Sequence, residues 1–351
     1  MSNTITTLSG FFQSSGFQFR IFDMGRRVVP FDTEAFLAIE QAQLPYPYPL
    51  QRQAWIGLIG WPEEHKEKHF IWFLRLPLDE YGHLSYTARD DLLRRLMKMA
   101  DQGLNGADAS ALQSSMDDNP FGYKPSEERM AVFHAKARKL LGLPPSQYYA
   151  AARDYFAGEL GLEHWTELGL QGIAEVTARL EEEQNALHLS EIFTQLPQRP
   201  FEVVCQCLEN ERLDMNLSQA IVQRASHLLK EAVPDAAQVS LCLRAMAISS
   251  ATGMRRNLLE QVLDSSIGTD IQILVAIAGR CWEDLTDEMV LHVFLSALAQ
   301  NSGGQEVFDT LLTDLFTIPG MRVNIMTTLR NPQRSESLSA ALGQFFTAIR
   351  S

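Results

Sequence analysis

His65 and His69 stand four apart in the run His65-Lys66-Glu67-Lys68-His69. On a helix that spacing puts two imidazoles on one face, where with a third ligand they would chelate zinc. Lys66 occupies the position that a His-Glu-x-x-His enzyme gives to glutamate, and the nearby third imidazole, His83, lies beyond a loop at 77–82. A charged, solvated hairpin turn is the simpler role. Cys205 and Cys207, two apart on an expected helix, point about 200° apart and cannot share one ion. Cys207 joins Val203, Val204 and Leu208 in a buried stripe, the usual place of a free thiol. Cys281, beside Trp282 at a helix end, is the better candidate for a reactive thiol. The run Asp101-x-Gly103-x-Asn105-Gly106 opens like a calcium loop, but Gly103 and Leu112 replace the oxygen side chains required at its third and twelfth positions. Gly-x-x-x-x-Gly-Lys, Gly-x-Gly-x-x-Gly and Gly-x-Ser-x-Gly are all absent. No catalytic, cofactor-binding or metal-binding residue is assigned, and no cofactor is expected.

Three features suit binding better than reaction. Leu44-Pro45-Tyr46-Pro47-Tyr48-Pro49-Leu50 favours an extended polyproline II segment, either a docking strand or a stiff connector. Trp55, Trp61, Trp72 and Phe73 suggest a stacking platform or a sheet core, without the Gly-Phe pattern of an RNA-recognition motif. Arg26-Arg27, Arg94-Arg95 and Lys136/Arg138/Lys139 make the N-terminal half locally basic.

The elements that must position these residues differ between the two halves. Phe17, Phe19 and Ile21 alternate with polar neighbours at strand period, and Gly25 supplies a turn by taking positive φ. A short strand follows at 27–31, with Pro30 at its end or on a sheet edge. Asp32 or Thr33 caps a helix to about Ala42. A second round has strands at 54–61 and 69–76 and a helix at 87–100; the strand at 69–76 is apolar nearly throughout and is expected centrally. Hairpin, helix, hairpin, helix implies an α+β domain with a small, largely antiparallel sheet over residues 1–100.

Turn formers mark a linker at 101–125, with a short helix at 107–113, and residues 126–351 read as an all-α domain. Helical runs begin near Pro200, Ala236, Thr269, Gly304 and Gln333, so successive starts lie 36, 33, 35 and 29 residues apart. Two helices fit each interval, the spacing of a solenoid-like helical repeat; an irregular bundle is the alternative.

The segment Phe19-Arg20-Ile21-Phe22-Asp23-Met24-Gly25-Arg26-Arg27-Val28 resembles the N-terminal signature of a bacterial family, domain of unknown function 3549. The likeness extends to length and to the order of an α/β start and a helical remainder. It implies no activity, cofactor or partner.

Composition narrows the classes. The net charge is −13 over 351 residues, unfavourable for nucleic acid or anionic membrane. Residues 1–150 carry 16 basic against 17 acidic side chains; residues 151–351 carry 14 against 26, with Lys230 their one lysine. Four scattered cysteines, no apolar run long enough to span a bilayer and no basic leader point to the cytoplasm. The expected function is a non-catalytic protein-interaction or adaptor protein whose acidic helical array takes a partner with a basic surface. Two alternatives stand beside it. One is an enzyme with an inter-domain site using His83, His134 or Cys281; the other is an RNA-associated protein binding through its basic N-terminal half.

Overall fold

A computed structural model describes residues 6–101, 119–330 and 334–350. By their internal contacts these sort into two units, one holding residues up to 133 with 140–143 and 317–319, the other 134–139, 144–316 and 320 onward. The expected helix at 107–113 and the calcium-like run after Asp101 lie outside the described residues.

The first unit is α+β. Strands β1 (Phe17–Asp23), β2 (Val29–Pro30), β3 (Gln53–Pro62) and β4 (Phe70–Pro77) form an antiparallel sheet in the order β2-β1-β3-β4. Phe19, Ile21, Ile56, Leu58, Trp72 and Leu74 share one face, which packs against helices α1 (Leu8–Ser14), α2 (Thr33–Glu40) and α3 (Tyr86–Asp101). Asp32 caps α2 as the sequence suggests. Helix α1 is not anticipated; the Thr7 hydroxyl accepts from Gly10 N at 3.0 Å, and Leu8, Phe11 and Phe12 fill the core below it. Glu40, itself buried, accepts from Leu8 N at 2.6 Å and Ser9 N at 3.1 Å and so holds the start of α1 in place.

One expectation needs correction. The apolar strand at 69–76 is β4, and it lies at the sheet edge rather than the centre. Its residues are apolar because both of its faces are covered: helices lie on one, and on the other Phe73 meets the rings of Tyr123 and Phe133 at 6.1 and 5.1 Å. Its edge is closed in part by residues 121–123, where Arg75 N donates to Phe121 O at 2.7 Å and Tyr123 N to Phe73 O at 3.1 Å. Gly57 admits this second layer, since a Cβ there would lie 2.8 Å from Phe133 Cε2.

After α4 (Glu127–Leu141) the chain continues as α5 (Tyr149–Phe156), α6 (Leu170–Ala178), α7 (Asn185–Ile192), α8 (Gln198–Leu208) and α9 (Met215–Leu229). Then follow α10 (Ala236–Met246), α11 (Thr252–Leu263), α12 (Ile271–Arg280) and α13 (Glu288–Leu298). Helices α14 (Gly304–Thr317), α15 (Met321–Thr328) and α16 (Glu336–Arg350) close it. The expected runs from Pro200, Ala236, Thr269 and Gly304 are α8, α10, α12 and α14; the last run starts at Glu336, and Gln333 lies outside the described residues. Packing alternates along the second unit: α6, α8, α10 and α12 touch in succession, as do α7, α9, α11, α13 and α15. Four boundaries come from aspartates, because Asp214, Asp235, Asp270 and Asp287 each accept a backbone N–H at the start of a helix.

Candidate functional site

The segment Phe19–Val28 ends in a buried polar node. The Asp23 carboxylate is sealed from water and accepts from Gly25 N at 3.1 Å and from Arg26 N and Arg27 N at 3.0 Å. Its fourth donor is the Tyr46 hydroxyl at 2.6 Å. Burial pushes the Asp23 carboxyl above its ordinary range, against the lowering pull of these donors. Arg26 and Arg27 are buried too; Arg26 Nε donates to Pro49 O at 2.8 Å, and Arg129 reaches Met24 O. Gly25 does not take the expected positive φ. Its constraint is space: a Cβ would lie 3.1 Å from the Trp55 ring and 3.4 Å from Asp23 Oδ1. The node pins the β1–β2 turn to the Tyr46 segment, which is a positioning task.

In the second unit, the ends of α6, α8, α10 and α12 gather at one edge. Lys139 reaches Ala178 O at 2.8 Å and the Glu181 carboxylate, while Lys136 reaches Asn210 O at 2.6 Å and Glu211 at 2.9 Å. Arg244 Nε and Arg280 Nε both donate to the buried Glu209 carboxylate, at 2.6 and 3.0 Å. Cations at these carbonyl-rich ends suit the negative pole of each helix. The ladder continues into the other row. Asp284, 1% exposed, takes Arg255 in a two-point grip at 2.6 and 2.8 Å, and Arg256 pairs with Asp287 at 3.0 Å. Successive helix pairs are thereby locked in register.

The family model described as Protein of unknown function (DUF3549) matches residues 3–346. The chain belongs to that family. No curated protein and no solved structure matches it. In this DUF3549 chain, the segment that carries the resemblance is the one that closes the Asp23 node.

The candidate residues read from sequence fall as follows. His65 pairs with Glu67 at 3.1 Å on an exposed turn, and His69 Nδ1 faces Lys66 O. Among the described residues no group of three or more His, Cys, Asp or Glu is placed to hold a metal. All four cysteines are free and buried. Cys205 is as buried as Cys207, because α6 and α10 flank α8 on both sides. Burial lifts the Cys205 thiol far above its usual range and Cys242 to about 12. Cys281, the candidate reactive thiol, is 1% exposed and its thiol donates to Leu243 O, so burial keeps reagents from it. His83 sits 3.6 Å from Asp79 in the first unit; His134 and Cys281 belong to the second.

The binding features change more. Tyr46 is fully buried, its ring 5.5 Å from that of Phe31, so the proline-rich segment is a connector locked into the core. Trp55 and Trp61 share one sheet face while Trp72 lies on the other, so no joint platform forms. The basic patches are occupied: Arg26 and Arg27 inside the node, Arg94 and Arg95 on Asp91, Lys136 and Lys139 at helix ends. Asp23, Glu209 and Asp284 are functional in positioning yet were not singled out as such by sequence, and Tyr46 was marked only as part of the proline-rich segment. Asp23 had a signal in its place in the family segment.

Two sets stand out among the acidic residues of the second unit. Glu175, Glu209 and Asp284 are buried, and the four helix-starting aspartates are caps. Glu191, Glu231, Glu260 and Asp264 are exposed, in or just past the last turns of α7, α9 and α11. These helices run parallel. Arg224 of α9 donates to Thr194 O and Leu196 O beyond α7, and Ser250 ahead of α11 donates to Leu213 O ahead of α9. The four residues therefore lie at the same ends of these helices, which already carry negative partial charge. Among the described residues, no helix is long and apolar enough to cross a membrane.

Proposed function

We propose that the protein is a non-catalytic interaction or adaptor protein of the bacterial cytoplasm, and that its helical unit offers a solenoid-like face to a partner with a basic surface. The observation that carries this reading is the row Glu191, Glu231, Glu260 and Asp264 at the C-terminal ends of α7, α9 and α11. Carboxylates there work against the helix dipoles, so folding stability does not account for them. A partner rich in lysine or arginine relieves that dipole conflict. Alternating helix contacts with an ion-pair ladder at one edge supply the rigid support such a face needs. Association then weakens as salt rises, and phosphate-rich nucleic acid or anionic membrane is disfavoured.

The test is carboxylate-directed crosslinking of the full chain in its native cytoplasm, read by mass spectrometry. It compares the wild type with a chain carrying Glu191→Lys, Glu231→Lys, Glu260→Lys and Asp264→Lys. A basic neighbour recovered by the wild type is expected to vanish from the reversed chain and to persist with Glu163→Lys and Glu167→Lys. Undiminished recovery by the reversed chain, or no neighbour above background at low salt, would overturn the proposal.

A further inference from the structure

A cleft of about 420 Å³ opens on the first unit where β3 and β4 meet the segment before Tyr123. Trp55 and Arg75 face each other across the two strands, and the Arg75 guanidinium lies 5.4 Å from the centre of the indole. The indole is fixed, its N–H donating to Leu50 O at 3.1 Å and the Tyr123 ring packing edge-on at 4.8 Å. Gln53 and Pro77 sit opposite one another one step further along the same strands, and Pro120 and Phe121 close the far wall. Among the described residues no carboxylate lines the cleft, and Arg75, which is exposed, makes no ion pair. Among the described residues, a cation is therefore held in position there without an anion.

Gln51 adds a second, independent observation. It lines the cleft from a two-residue turn in which both Gln51 and Arg52 have positive φ, 54° and 58°. The turn is closed by Leu50 and Gln53, each donating to the other's carbonyl at 3.1 Å. Such turns take Asn-Gly with ease; side-chain-bearing residues in this backbone are strained. That turn sets Gln51 in the lining of the cleft.

We propose that this cleft binds a small molecule bearing an oxyanion, carboxylate or phosphate, on a flat apolar body. The Arg75 fork takes the oxyanion, the Gln53 amide supplies a further donor, and Trp55, Pro77 and Phe121 cover the body.

The experiment follows the indole N–H signals of the isotope-labelled full chain during titration with benzoate, phenyl phosphate and the neutral benzamide. One of the two anions is expected to shift the Trp55 signal saturably, and the tighter of them names the oxyanion. Benzamide is expected to bind about tenfold or more weakly, as is the anion to Arg75→Gln, an exposed substitution that leaves the core intact. Absence of a Trp55 shift with both anions, equal binding of benzamide, or full affinity in Arg75→Gln would overturn the proposal.

Discussion

Tyr46→Phe removes one oxygen from the centre of the first unit and nothing else. The hydroxyl donates to Asp23 Oδ1 at 2.6 Å in a site with no access to water. A hydrogen bond to a charged acceptor contributes about 1.5–3 kcal/mol and a neutral one about 1 kcal/mol. The variant should lose about 2 kcal/mol near neutral pH, because three backbone donors still hold the carboxylate. The pH dependence has a definite sign. Burial raises the Asp23 value in the folded state, so the native chain binds this proton more tightly than the unfolded chain does. The group's contribution to stability is greatest below the unfolded value of about 4 and declines as pH rises through the folded value. Removing the Tyr46 donor raises the folded value further and steepens the decline. The loss should therefore shrink toward about 1 kcal/mol in acid, where the bond joins two neutral groups. Native-state hydrogen exchange of the β1 and β3 amides reads this locally; a 2 kcal/mol loss is roughly a 30-fold faster exchange at neutral pH. A loss below about 0.5 kcal/mol, or one identical at both pH values, would refute the charged-node account.

Gly57→Ala should cost about 1–3 kcal/mol, measured by urea unfolding, since its methyl carbon would enter the Phe133 ring at 2.8 Å. Combining it with Phe133→Leu should recover part of that loss. Glu209→Gln leaves Arg244 and Arg280 without their shared carboxylate and should cost about 2–4 kcal/mol, again by urea unfolding. A thiol reagent should leave all four cysteines unmodified in the native chain and label them only in denaturant, counted by intact mass.

Helices and strands were legible where local chemistry decides them. Aspartates 214, 235, 270 and 287 are helix starts written into the chain, and the runs from Ala236 and Gly304 begin at the residues expected. What failed were inferences from exposure. Arg26 and Arg27 read as a basic patch because their type is usually solvated; Asp23, the Pro49 carbonyl and the turn around Gly25 draw them inside. β4 read as central because its residues are apolar, but a strand's apolarity reports on its two faces and not on its two edges. The proline spacing around Tyr46 offered a docking strand or a stiff connector, and the structure shows the connector; proline spacing fixes only the backbone path, not where the rings go. The ion-pair ladder was invisible for a related reason: Glu209 and Arg280 lie 71 residues apart, and only the alternating stack brings them together.

The same stack separates acids that composition counts alike. Asp214 and Glu260 each add one negative charge to the second unit, yet they sit at opposite poles of parallel helices. Asp214 satisfies Leu217 N at 2.8 Å and strengthens its helix. Glu260 lies in the last turn of α11, where a negative charge costs about 0.3–1 kcal/mol. Glu260→Gln should therefore raise the thermal midpoint slightly while weakening capture of a basic partner, whereas Asp214→Ala should lower the midpoint. Stability and binding moving in opposite directions at Glu260 is the mark of a residue kept for contact and not for folding. If Glu260→Gln instead lowered the midpoint, its carboxylate would belong with the caps, and the exposed row would shrink to a feature of the scaffold.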